Sequence, residues 1–568
     1  MSGSDQFNGR LGLIFASIGA AIGTGNIWRF PRMVGANGGG TFLIPWLFFL
    51  FAWSIPLVIA EYAMGKRSRT GTIGTFRIFA GRKFAWMGLW TAWISTAIGF
   101  YYAVVSGWTL KYFQLGITGA LNGEGVDTTE VWNAFLQSPG QVIFFQFLVI
   151  LLVLGTIWKG AKAIEKVNFY LMISLFALLF LTLFLSLWMD LQDGSMDGAL
   201  FMFTVDTEML FEPEVWINGL SQSAWSCSAG MGMCITYAVY MRKDEDTVLN
   251  AFTMGLANNS ISIIAGLAVL SAIFAVNPDP LATVTGGSSA ITFLALPEVF
   301  AQAPGGTIGP LIMTAMFFLA LSFAALTSMI STVELCVRNF VDHGYERERS
   351  VLITGIAIFI FGLPSAILWV KLDSAGVAFP EFLEVQDHIW GYGLMFSGLF
   401  IACSIWKYGY LKWKAAVEAG TAAPGLEGYF GIGVSAFRDD FINTGDNDMH
   451  VGRWWDLLIY LAFPVLFFIL MFSYFSDMIA NTEDVWNPAN PKGLSIILLF
   501  WGVVATLFIV LNKKLIERPL YRNVPEGAEA DISMLPGGSD ELVGQVGEVI
   551  AGFEHLTPDA VMDAELSA

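Results

Sequence analysis

Long apolar runs, separated by short polar or charged breaks, dominate the chain. Twelve of them fall near 11–31, 41–63, 88–118, 141–158, 167–189, 214–240, 248–276, 307–340, 350–371, 381–406, 454–476 and 494–517, here called spans 1 to 12. Each has roughly the 20 residues that a helix needs to cross a bilayer. The pattern predicts an all-α polytopic membrane protein with twelve transmembrane helices. Two spans are interrupted. Span 1 contains Gly19-Ala20-Ala21-Ile22-Gly23-Thr24-Gly25-Asn26, and span 6 contains Ser226-Cys227-Ser228-Ala229-Gly230-Met231-Gly232. Glycine alone often only packs membrane helices together. Two broken spans five apart, however, suit two five-helix inverted repeats with unwound spans 1 and 6 and a midplane site between them.

Charge orients the bundle. With the N-terminus inside, 24 of the 29 Lys and Arg fall on the cytoplasmic side, and only Arg29, Arg32, Lys111, Lys371 and Lys492 do not. This positive-inside bias predicts a multi-pass protein of the plasma (inner) membrane with both termini cytoplasmic. The divisions are then a cytoplasmic N-terminus (1–10), a first repeat (11–190), a second repeat (214–406), a cytoplasmic loop (407–453), spans 11 and 12 (454–517) and an acidic cytoplasmic tail (518–568). From 523 on, the tail has no Lys or Arg; it reads as a solvated segment, with 540–555 patterned for a short amphipathic helix.

Composition narrows the function. Hydrophobic residues make up 55% of the chain and charged residues 13%, about half the usual soluble share. A formal charge of −18 has the wrong sign for a nucleic-acid partner. No phosphate-binding glycine loop, metal-ligand cluster or nucleophile–base pair is present, so no enzyme is expected. The four cysteines lie in or beside apolar runs and predict no disulfide framework.

The stretch from Gly23 to Pro31 (Gly-Thr-Gly-Asn-Ile-Trp-Arg-Phe-Pro), followed by Asn37-Gly38-Gly39-Gly40-Thr41-Phe42, strongly resembles span 1 and the next turn of the neurotransmitter:sodium symporter family. The likeness continues through Glu61-Tyr62-Ala63-Met64-Gly65, Tyr101-Tyr102, Trp108-Thr109-Leu110, Tyr237 with Arg242-Lys243-Asp244, and Ala324-Ala325-Leu326-Thr327-Ser328. The lack of outer-loop cysteines and the short segment between spans 3 and 4 are similar to prokaryotic members. The resemblance implies sodium-coupled uptake of amino acids or amines across a lipid bilayer by a monomer or weak dimer.

It also implies particular residues. One Na+ would sit among the carbonyl of Ala21, Asn26, Ser226 and Asn258. A second would sit among the carbonyls of Gly19, Ile22 and Ala324 and the hydroxyls of Thr327 and Ser328. One or two ions are thus expected, on neutral oxygen ligands. Amine-transporting members carry Asp where this chain has Ala20, so an amino-acid substrate is expected. Its carboxylate would meet Ala21, Thr24, Gly25 and Tyr102. Its ammonium would meet Ala20, Trp225, Ser226 and Ser228. Ile98, Met231, Ser328 and Thr332 complete the pocket, which reads as fitting a neutral, apolar or aromatic amino acid. Arg29 with Asp387 would form the outer gate above a Tyr102–Trp225 lid, and Asp342 with Tyr240 would belong to the inner gate. The family's inner latch uses a basic residue before span 1. Ser2-Gly3-Ser4-Asp5-Gln6-Phe7 offers none here, so either Arg10 substitutes or the latch is built differently. A candidate Cl− set is Gln222, Ser226, Asn258 and Ser262, with Trp46 where chloride-dependent members have Tyr; chloride dependence stays open. Two alternatives remain: a same-fold transporter of an amine or betaine-like osmolyte, or a non-transporting amino-acid sensor.

Overall fold

The computed structural model describes residues 6–517 apart from 8, 123–124, 193, 243–244, 286–290, 374–375 and 445–447. Lys243, Asp244 and the tail from 518, including the patterned segment 540–555, lie outside the described residues.

Among the described residues, ten helices are long and apolar enough to cross a membrane: Gly40–Ser68, Arg82–Thr118, Pro139–Ile157, Ala161–Leu191, Thr247–Val276, Ile308–Asp342, Arg347–Ile367, Glu381–Glu418, Arg453–Asn481 and Leu494–Glu517. They are spans 2 to 5 and 7 to 12. Span 1 is a pair, Arg10–Ala21 and Thr24–Ala36, bent by 65° at the predicted glycine stretch. Span 6 comprises Pro213–Ser226 and Met233–Ala238, with no helix at 227–232.

Burial separates a centre from a periphery. The most apolar stretch of span 3 is 78% buried and that of span 2 is 72% buried, against 22% for span 12. Span 3 earns its place by close approach. A Cβ on Gly88 would lie 2.4 Å from the Thr72 carbonyl oxygen, and one on Gly107 2.9 Å from the Gln146 nitrogen. Small residues let membrane helices touch backbone to backbone. The exterior presents Phe184, Phe468, Phe472 and Val510, the surface a bundle offers to lipid.

The break in span 6 is a matter of backbone chemistry. Ser228 has φ 51°, Gly230 φ 87° and Gly232 φ 79°, so three left-handed residues end one half-helix and start the next. The freed groups find partners. Glu61 of span 2, fully buried, accepts from the Gly230 N–H at 2.5 Å and the Ile235 N–H at 3.4 Å. Ser95 of span 3 donates to the Met231 carbonyl at 2.7 Å. A carboxylate at the start of a half-helix satisfies orphan donors and suits the helix dipole.

Two regions depart from the expected plan. A short antiparallel hairpin, β1 (Val370–Leu372) with β2 (Ala378–Pro380), joins spans 9 and 10 within the helical bundle. The loop 407–453 is largely helical: span 10 continues to Glu418, and 426–442 coils again. Polar side chains hold it down. Tyr408 donates to Asp440 at 2.5 Å, Lys412 pairs with Asp440 at 2.8 Å, and Arg438 pairs with Asp456 of span 11 at 2.6 Å. At the same end, Arg69, just past span 2, donates to the carbonyls of Val239 (3.2 Å) and Met241. Burial, with a smaller contribution from Arg67, pushes its guanidinium down to about 10.

Candidate functional site

The two breaks meet. The Asn26 amide nitrogen donates to Asn258 Oδ1 at 2.8 Å, Ser262 Oγ at 2.8 Å and Ser226 Oγ at 3.2 Å. Spans 1, 6 and 7 therefore converge three oxygens on one positively polarised group, all of them buried. Asn258 also donates to Ser226 Oγ at 2.8 Å. The side chains of the first candidate cation shell are thus adjacent, beside the Ala21 turn. A hard monovalent cation needs such neutral oxygens, and the donor set fits it. The candidate anion set overlaps it. Gln222 Oε1 and Trp46 Nε1 are buried without a hydrogen-bond partner. Trp46 packs on span 6, where a Cβ on Gly219 would lie 2.9 Å from its backbone nitrogen, one turn before Gln222.

The second candidate shell joins spans 1 and 8. Ser328 Oγ lies 3.1 Å from the Ile22 carbonyl and Thr327 Oγ1 lies 3.5 Å from it. Thr327 Oγ1 also meets the Ala324 carbonyl at 3.1 Å. A Cβ on Gly19 would lie 3.2 Å from Thr327 Cβ, so Gly19 is close by as well. Ile22 has left the helix, with φ −75° and ψ 108°, which turns its carbonyl away from the intrahelical ladder.

Between the shells lies the candidate pocket. The Tyr102 hydroxyl accepts from the Thr24 N–H at 3.0 Å. A Cβ at Gly25 would meet nothing within 4 Å; that backbone faces open space. Ser228 Oγ donates to the Ala20 carbonyl at 3.2 Å, tying the two breaks together. Trp225 rests on span 10, 2.8 Å from where a Cβ of Gly391 would stand. Met231 is buried with its carbonyl held by Ser95, and Ile98 is half-buried. Thr332 is a partial departure from expectation. Its hydroxyl donates to the Ser328 carbonyl at 3.0 Å and its methyl faces Gly99, so it adds an apolar surface there.

The profile of the Sodium:neurotransmitter symporter family matches residues 4–137 and 134–424. The chain belongs to this family. An uncharacterised sodium-dependent transporter of Bacillus subtilis, YhdH, is 31% identical over 415 residues, 71% of this chain and 88% of that one. The sodium- and chloride-dependent GABA transporter 2 of Bos taurus is 26% identical over 466 residues, 71% and 73% of the two chains. A crystal structure of MhsT in complex with L-phenylalanine superposes with a TM-score of 0.67 at 28% identity, covering 83% of this chain and all of MhsT. The protein is thus a sodium-dependent symporter of a membrane-transporter family, and the family is not one of enzymes.

The candidate gate residues find several other partners in the structure. Arg29 donates to Ser221 Oγ at 3.2 Å, while Asp387 accepts from the Tyr101 hydroxyl at 2.7 Å. The two charges face one another only at longer range, without a direct ion pair among the described contacts. On the other side, Tyr240 donates to Glu334, not Asp342. Asp342 pairs with Arg338 one turn earlier and accepts from the Gly71 N–H at 2.5 Å. The Arg338 guanidinium also lies 5.6 Å over the Tyr240 ring. Arg10 is exposed. The base beside Asp342 is therefore Arg338 of span 8. Phe7 is buried at this end, edge-on to Tyr237 and Tyr240 at 6.0 and 5.7 Å, and its N–H donates to the Tyr240 carbonyl at 3.2 Å. Arg347 of span 9 grips Glu334 at 2.6 and 3.1 Å.

Four residues here had no assigned role in the sequence. Glu61, Glu334 and Arg338 carried a signal, since a charge inside an apolar run needs a partner. Asn168 of span 5 carried a weaker one. It is fully buried, its side chain meets the Tyr237 hydroxyl, and its Nδ2 lies 3.6 Å from where a Cβ of Gly19 would be.

Proposed function

We propose that this symporter takes up a neutral, apolar or aromatic amino acid by alternating access, with both termini cytoplasmic in the plasma membrane. One observation carries the reading: the break of span 1 bears Ala20, whose carbonyl is held by Ser228, and no acid stands at that point. The substrate must then bring its own carboxylate to Thr24, Gly25 and Tyr102. Its ammonium is taken by carbonyls around Ala20 and Trp225. Two cations are cargo in this reading, one on Ala21, Asn26, Ser226 and Asn258, the other on Gly19, Ile22, Ala324, Thr327 and Ser328. The amino acid seen with MhsT supports the aromatic end of the range.

The 24 basic residues on one side support the orientation. For chloride, Trp46 offers an N–H donor in place of a hydroxyl, next to the acceptor-rich turn of Gln222. We propose that this exchange leaves transport chloride-independent.

The test is the thermal midpoint of purified protein with each of the twenty amino acids, in sodium or potassium, as chloride or gluconate. A rise with apolar and aromatic amino acids in sodium only, equal in gluconate, is expected. A rise with betaine or amines but no amino acid overturns the substrate assignment. A loss in gluconate overturns chloride independence alone.

A further inference from the structure

A cavity of about 480 Å³ lies between spans 3, 8, 9 and 12 and shares no residue with the candidate shells or pocket. Its volume is in the range of small-molecule sites. Trp93 and Phe100 of span 3, Cys336 of span 8, Phe361 of span 9 and Leu511 of span 12 make apolar walls. One side opens outward. Phe361 is 51% exposed and Ile353 39%, continuous with the exposed Ile356 and Ile360 of span 9 and Leu507 and Val510 of span 12. The slot thus opens onto the apolar exterior of the bundle.

One end is different. Lys514, one turn past Leu511, is exposed and lines the slot. Arg82 donates to the Ile516 carbonyl at 2.7 Å and Arg77 to the Leu515 carbonyl at 3.5 Å, which fixes the end of span 12 beside the basic turn before span 3. Within the walls, the buried Trp93 indole N–H has no acceptor. An apolar slot open to lipid, ending in a cation where basic residues gather, is complementary to a long chain with an anionic head.

We propose that this slot holds one anionic phospholipid, its acyl chain between spans 3, 9 and 12 and its phosphate on Lys514. A neutral lipid would fill the walls equally well but would not use the lysine. A soluble anion would use the lysine but would not use the walls.

The full chain is purified in detergent, delipidated, and offered phosphatidylglycerol or phosphatidylcholine, with retained lipid counted by native mass spectrometry. Wild type is expected to keep one phosphatidylglycerol under washing that removes phosphatidylcholine. Ala357→Trp, which fills the slot from span 9, loses it; Lys514→Gln holds both lipids equally. In wild type, phosphatidylglycerol but not phosphatidylcholine lowers maleimide labelling of Cys336, read by peptide mass spectrometry, by about fivefold, as occupancy of a buried site requires. Equal retention of both lipids by wild type, unchanged retention in Ala357→Trp, a surviving preference in Lys514→Gln, or unprotected Cys336 would each overturn the proposal. The Cys336 reading needs no variant and decides the matter if Ala357→Trp does not fold.

Discussion

Ala20 of span 1 and Asn168 of span 5 meet at the same break, and each decides something about it. Ala20 leaves the dry centre without a charge. Ala20→Asp sets a carboxylate where the substrate carboxylate is proposed to approach. We expect sodium-dependent amino-acid binding to weaken at least about 100-fold, or ~2.7 kcal/mol, in an equilibrium binding assay. Unchanged affinity would place the substrate elsewhere. Asn168 is fully buried beside Gly19, with its side chain on the Tyr237 hydroxyl. Removing one partner of a buried hydrogen bond costs about 1–3 kcal/mol. Asn168→Leu should therefore lower the thermal midpoint in sodium-free buffer; a rise would mean that the amide holds no partner that matters. Glu61 is the charged counterpart. Glu61→Leu strands the Gly230 and Ile235 N–H groups at about 1–3 kcal/mol each, whereas Glu61→Gln keeps an acceptor and should cost less. Equal midpoints for the two variants would remove the capping role. Much of this site was legible residue by residue, because the Gly-Thr-Gly-Asn stretch and the Thr327-Ser328 pair carry a family pattern. The partners of Glu61 were not, because a carboxylate in an apolar run announces a need for a donor but does not say which backbone has come undone.

At the scale of elements, both breaks were visible as glycine-rich interruptions, and most span positions were visible as apolar runs. Span ends were less so. Arg82 to Phe84 reads as polar loop yet continues into span 3, and the loop 407–453 lacks a long apolar run yet coils, because Arg438, Tyr408 and Lys412 tie it to spans 10 and 11. Hairpin 370–380 was hidden for the same reason: Trp132 and Asn133, far away in sequence, hold Ala378 by its carbonyl and N–H, each at 2.7 Å. The candidate inner gate shows how elements trade partners. With no base before span 1, Arg338 neutralises Asp342 within span 8, and Glu334 links Tyr240 after span 6 to Arg347 of span 9. Breaking a buried pair by removing one partner strands the other charge. Arg347→Gln should loosen the junction of spans 6, 8 and 9 and raise labelling of a cysteine placed at Ser331, without sodium, about tenfold. Labelling at the wild-type rate would mean that the pair does not hold this face shut.

For the whole molecule, the proposed uptake links two kinds of gradient to one movement. A tenfold sodium ratio supplies ~1.4 kcal/mol per ion, and each inward charge ~2.3 kcal/mol per 100 mV. Two ions with a zwitterion move two charges, so uptake into vesicles should rise with inside-negative potential twice as steeply as with one ion. A one-charge slope would leave only one shell carrying cargo. The centre of the bundle is where this leverage acts: spans 2 and 3 are the most buried, and the broken spans 1 and 6 meet beside them. Span 12, at the periphery, contributes least to that core. The indole of Trp225 has a further use. Its ring spans the gap from span 6 to Gly391 of span 10, so any change in that gap alters the surroundings of an indole. The protein thereby carries its own optical reporter of closure. Against the other tryptophans, the emission difference between wild type and Trp225→Phe would isolate a signal that follows the turnover cycle in real time, with no dye attached.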